Sequence, residues 1–94
     1  MTKPLLRLYV AGNSATSRQA ERNFDRLHAL IGADYCAEVI DVVANPEIAE
    51  RAGILATPTL SYEHPVRPRR IIGDLSDPKR VIDFLGIPPK EDTA

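Results

Sequence analysis

A chain of 94 residues supports one modest core, burying roughly two-thirds of the surface that its unfolded form exposes. It is 44% hydrophobic and 27% charged, with aromatics at 5% and no Trp, so Leu, Ile, Val and Ala must fill that core. Lys+Arg 12 against Asp+Glu 13 argues against a general nucleic-acid binder, which needs a basic excess, and a single Cys excludes an internal disulfide framework or a cysteine-based zinc site.

Leu5-Leu6-Arg7-Leu8-Tyr9-Val10-Ala11 reads as a buried strand stopped by Gly12-Asn13. Asn13 to Ser17 supplies N-cap candidates, with Thr16 and Gln19 spaced as a capping box. Ala20, Phe24, Leu27 and Ile31 then recur at helical spacing, and Gly32 ends the pattern. Tyr35 to Val43 reads as a second strand with both faces partly covered, because Val39-Ile40 and Val42-Val43 flank Asp41. Asn45-Pro46-Glu47 starts a helix with an Asn cap, a Pro at the first position and an acid on the dipole, and Gly53 closes it within about two turns.

Ile54 to Tyr62 is strand-like but contains Pro58, which cannot donate to a central ladder. Either the strand begins after Pro58, or the Thr57-Pro58 bond is a built-in turn, cis or trans. Glu63 to Arg69 is a polar connection, and Arg70-Ile71-Ile72-Gly73 a fourth short strand. Asp77-Pro78 starts a last helix over about Pro78 to Leu85, with Val81, Ile82, Phe84 and Leu85 as its apolar stripe and Gly86 with Pro88 as its end.

The order is βαβαββα. A strand–helix–strand start favours a parallel pair, and the later strand pair favours an antiparallel hairpin. The result is an α/β, thioredoxin-like plan with a mixed four-stranded sheet covered by helices. The expectation is a single domain over 1–94, with its core at about 5–87. No apolar run approaches the roughly 18 residues of a membrane span, and the N-terminus lacks a signal-peptide h-region. The expected location is the cytoplasm.

A dithiol redox centre needs two cysteines at the start of the first helix. Here that stretch is Asn13-Ser14-Ala15-Thr16-Ser17, which holds no sulfur. Cys36 is expected as a small buried hydrophobe in the second strand. His28 reads as a partly exposed structural histidine, and His64 lacks local partners for a metal site. Capping explains Ser14, Thr16 and Ser17. Gly12-Asn13-Ser14 is a turn rather than a phosphate loop, and Asp74 and Asp77 sit too near helix-cap positions to form an acid/base pair. No catalytic residue, cofactor-binding residue or metal ligand is expected. Arg67, Arg69 and Arg70, with His64 nearby, form the charge feature that stands out. They read either as a solvated loop running into a strand edge or as a contact for an acidic partner, because arginine forks pair with carboxylates. Three arginines without interleaved aromatics make a poor nucleic-acid footprint.

Leu8-Tyr9-Val10-Ala11-Gly12-Asn13, Val39-Ile40-Asp41-Val42, Asn45-Pro46, Ile54-Leu55-Ala56-Thr57-Pro58-Thr59-Leu60 and Arg69-Arg70-Ile71-Ile72-Gly73-Asp74-Leu75-Ser76 together resemble the KaiB family of circadian-clock proteins. The resemblance implies a non-catalytic clock or signalling adaptor. Its partner would be the ring-shaped ATPase and autokinase KaiC, or a KaiC-like ATPase, whose dephosphorylating phase it favours. KaiA or a sensor histidine kinase would be further partners, and neither nucleic acid nor membrane would be one. The family has a thioredoxin-like binding fold and a tetrameric βαββααβ ground state, so homo-oligomerisation stays open. Such a switch needs two packings within a few kcal/mol of each other. Arg69 and Arg70 are the expected partner-binding residues, and Pro58, Gly73, Asp74 and Phe84 the fold-determining ones. Where switching members carry a Gly and an Asp that weaken the last helix, this chain has Phe84 and Gly86, which tilts it toward the thioredoxin-like form. Competing readings are a stand-alone thioredoxin-like sensor module of a signalling kinase pathway, a stress-response protein, and a cysteine-free relative of glutathione-handling enzymes.

Overall fold

The computed structural model describes residues 3–73 and 75–88; Asp74 lies outside them. Seven elements follow one another: β1 (Leu5–Val10), α1 (Ala15–Ile31), β2 (Cys36–Asp41), α2 (Pro46–Ala52), β3 (Thr59–Glu63), β4 (Arg69–Ile72) and α3 (Pro78–Leu85). The strands form one sheet in the order β2-β1-β3-β4. β1 runs parallel to β2, as a helical crossover requires, and the β1–β3 and β3–β4 pairs are antiparallel. This is the expected thioredoxin-like arrangement.

Period-two alternation divides β1 between two faces. Leu6, Leu8 and Val10 join Leu60 and Tyr62 of β3 on one face, where α1 and α3 cover them. From α1 come Ala20, Phe24, Leu27 and Ile31, all buried, at the helical spacing read from the sequence. The cap differs from expectation. Ser14, not Thr16, is the N-cap, and its side chain accepts the Ser17 N–H at 3.1 Å. Gln19 instead bonds along the helix to Asn23 and Arg22. Ser17 is buried, and its hydroxyl meets both the N–H and the carbonyl of Ala11, at 3.2 and 3.1 Å, fastening the helix start to the end of β1.

β2 corrects a second expectation. It ends at Asp41 rather than Val43, and at the edge of the sheet its faces are largely open, with Val39 42% exposed. Cys36, at its start, is exposed rather than buried. Asn45 stands at the N-cap of α2 but makes no side-chain cap bond; its amide donates to the Asp41 carbonyl at 3.1 Å. Both α2 and α3 end in Schellman motifs around a left-handed glycine. The Gly53 N–H reaches Glu50 O and the Ile54 N–H reaches Ala49 O, and in the same way Gly86 and Ile87 reach Asp83 O and Ile82 O.

β3 begins after Pro58, and the Thr57–Pro58 bond is cis. The α3 range matches expectation, started by Asp77, whose side chain accepts the Arg80 N–H, and by Pro78. Its stripe is narrower than predicted. Val81 and Leu85 are buried and Ile82 packs against the core, but Phe84 is 55% exposed. It stands on the flank of the helix beside β4, and β4 is the outermost strand, so no described element lies beyond to cover the ring. Leu75 and Ile87 complete the core on either side of α3.

Candidate partner-binding surface

Strand register separates the basic cluster. Arg69 stands opposite Tyr62 and so shares the core-side face of the sheet, whereas Arg70 stands opposite Ser61 on the other face. On that second face one row crosses all four strands: Glu38, Arg7, Ser61 and Arg70. Arg7 and Glu38 form an ion pair, and the Ser61 hydroxyl donates to Glu63. Interaction with the Tyr9 hydroxyl and with Glu38 holds the Arg7 guanidinium above its ordinary pKa. Arg70 reaches over α2 and donates to the Ala52 carbonyl, where a cation also complements the negative end of the helix dipole.

Beneath α2 lies a groove of about 400 Å³ lined by Arg7, Tyr9, Ile48, Arg51, Glu63 and Arg70. On the opposite side, a shallower apolar groove of about 270 Å³ lies between β4 and α3, lined by Ile71, Val81 and Phe84 with Arg70 and Arg80. Arg69 forms no side-chain hydrogen bond or ion pair with a described residue. The predicted partner-binding residues are therefore adjacent in sequence but unlike in role: Arg70 is tied to α2, and Arg69 is untied among the described residues.

His64 lies apart from these guanidinium contacts. Its Nδ1 accepts the Val66 and Arg67 N–H groups, each at 3.1 Å, and its ring meets Tyr62 at 5.4 Å, so it shapes the β3–β4 connection. His28 contacts the Tyr35 carbonyl at 3.0 Å and ties the end of α1 to the start of β2. Among the described residues, no three His, Cys, Asp or Glu side chains converge as a metal site, and no helix is long and apolar enough to cross a membrane. Sequence reasoning missed Arg7 and Arg51. A signal for Arg7 was present, since it is the one charge in an otherwise apolar strand; nothing singled out Arg51 in a short exposed helix.

The KaiB domain sequence pattern matches residues 7–87. The chain belongs to the KaiB family. It is 42% identical over 91 residues to circadian clock protein KaiB3 of Synechocystis sp., covering 96% of this chain and 89% of that one. It is 49% identical over 84 residues to the circadian clock oscillator protein KaiB of Parasynechococcus marenigrum, covering 88% and 81%. Among solved structures, mitochondrial thioredoxin 3 of Saccharomyces cerevisiae superimposes with a TM-score of 0.73 at 20% identity, over 93% of this chain and 78% of that one. That likeness concerns the fold. In this KaiB-family chain, the segment that would carry a dithiol in a thioredoxin is occupied by the Ser14–Ser17 capping network.

Proposed function

We propose that this protein is a non-catalytic circadian-clock adaptor of the cytoplasm that binds a KaiC-like ATPase and autokinase and promotes its dephosphorylation. Membership of the KaiB family over residues 7–87 carries the reading. The start of α1 supports it: the Ser14 and Ser17 hydroxyls are engaged in capping and in fastening β1. Arg69 and Arg70 are the residues we assign to acidic groups of the partner. Arg69 is the freer of the two, and Arg70 holds the α2 side of the same edge.

The test is to mix the protein with a KaiC-like ATPase, follow complex formation by size-exclusion chromatography, and follow the phosphorylated fraction with time. A stable complex and faster loss of phosphate are expected. Arg69→Glu should weaken binding about tenfold or more, as for a partly desolvated charge contact. Absence of a complex, or an unchanged phosphorylated fraction, overturns the reading.

A further inference from the structure

The outer edge of β4 carries backbone groups that no described residue uses. The Gly73 N–H bonds to the Pro58 carbonyl at 3.0 Å. With β4 residues 69–72 registered against 62–59, this bond fixes the alternation of the ladder. Residues 69 and 71 turn their N–H and C=O groups toward β3, so those of Arg70 and Ile72 point outward. An open edge is a template for another strand unless charge, a bulge or a covering element blunts it. Here charge is present on both faces, but its sign is uniform: Arg69 on one and Arg70 on the other. In the antiparallel register that pairs its outward residues, a second copy would set Arg70 opposite Ile72 and Arg69 opposite Gly73, so neither arginine would gain an acidic partner, whereas a strand carrying carboxylates would supply both.

The two faces flanking the edge are also graded along the strand. At its start stand Arg69 and Arg70; at its end stand Ile71 and Ile72, the latter 69% exposed. The groove between β4 and α3 continues the apolar end on the Ile71 side, with Phe84 as its outer wall. A complementary strand therefore needs two carboxylates opposite the arginines and two apolar side chains opposite the isoleucines, one of which enters the groove against Phe84.

We propose that β4 is a docking edge for an extended partner segment, which adds as a fifth, antiparallel strand and carries two apolar residues followed by two acidic ones. This rests on the reading of the chain as a binding protein, and adds where the partner lies and what recognises it. Main-chain bonds to Arg70 and Ile72 supply the attachment, and the alternating faces supply the selectivity. It also gives the exposed Phe84 ring a use that core packing does not.

The experiment titrates the full chain with a capped hexapeptide, Thr-Val-Val-Glu-Glu-Thr, and follows amide shifts by NMR. Two control peptides replace both Glu by Lys, or N-methylate alternate main-chain nitrogens. The expected result is a saturable shift centred on Arg70 and Ile72 with the Glu peptide, and at least tenfold weaker binding of both controls. No saturable shift, shifts centred elsewhere, or equal binding of either control overturns the proposal.

A second arm uses the KaiC-like ATPase with Ile72→Pro, which removes an outward N–H that the sheet does not use, after its amide spectrum has confirmed the fold. At least tenfold weaker ATPase binding is expected. If the ATPase binds wild type and Ile72→Pro equally, the docking edge fails and the adaptor reading stands. If the ATPase binds neither while the Glu peptide binds at β4, the adaptor reading fails and the edge stands.

Discussion

Asp41 Oδ1 accepts the Gly12 N–H at 2.9 Å, so a carboxylate at the end of β2 closes the turn that leaves β1. The same oxygen accepts the Val43 N–H at 3.0 Å. These backbone donors, Gly12 first and Val43 second, hold the Asp41 carboxyl below its ordinary pKa. Bonding of this kind favours the ionised form in the folded chain. A depressed folded-state pKa contributes stability that is present above the unfolded-state value and is lost as pH falls through the folded one. The stability difference between wild type and Asp41→Asn should therefore be full at neutral pH. It should begin to shrink near the ordinary aspartate pKa of about 3.9 and continue shrinking below it. Urea titrations across that range check it; a difference that stays constant through the acid range contradicts the assignment.

The start of α1 gives a sharper contrast between residues of one type. Ser14 satisfies the Ser17 N–H, whereas the Thr16 hydroxyl serves no cap. Ser14→Ala should cost about 1 kcal/mol, the usual loss for an N-cap hydroxyl. Thr16→Ala should be neutral within about 0.5 kcal/mol. Chemical denaturation of the two variants distinguishes them.

The capping box shows why sequence took α1 only so far. Apolar spacing located the helix, because Ala20, Phe24, Leu27 and Ile31 must all meet the sheet. Several hydroxyls lie within reach of its start, however, and choosing among them requires knowing where β1 ends. That is settled by Ser17 bonding to Ala11, a contact between elements. The same limit governs β2 and Cys36. Apolar content announced a strand, but exposure depends on what lies beside it, and among the described residues no strand lies outside β2. The arginine cluster was visible as composition; its division into one tied and one free guanidinium became visible only with the register of β4.

That division has a consequence for stability. Arg70 donates to the Ala52 carbonyl at the end of α2, and Gly53 packs beneath its guanidinium, where an added Cβ would meet Nη1 at 3.9 Å. Arg70→Ala should loosen α2, with a loss of about 0.5 kcal/mol for an exposed cation at a helix C-terminus, and faster hydrogen exchange at residues 49–54. Arg69→Ala should leave both unchanged. Equal protection of α2 in the two variants would show that the Arg70 contact is not maintained in solution.

Phe84 and Leu85 are neighbours on α3 with opposite surroundings. Leu85 is 1% exposed, inside the cluster that joins α3 to α1 and β1. Truncation to Ala removes a fully buried side chain and leaves a cavity, which costs about 3 kcal/mol. Phe84 is 55% exposed and lines the open groove beside β4. Phe84→Ala exposes little that was hidden and trades into a residue of higher helix propensity, so its cost should stay below about 1 kcal/mol. Phe84→Gly adds roughly another 1 kcal/mol of helix propensity relative to Ala. On this ordering, the Phe84 ring adds little to stability beyond keeping a glycine out of α3, whereas Leu85 acts through the core. Thermal melts of Phe84→Ala, Phe84→Gly and Leu85→Ala, with helical NMR shifts checked over residues 78–85, test the ordering. A Phe84→Ala loss as large as that of Leu85→Ala would put the ring in the core and remove it from the docking edge.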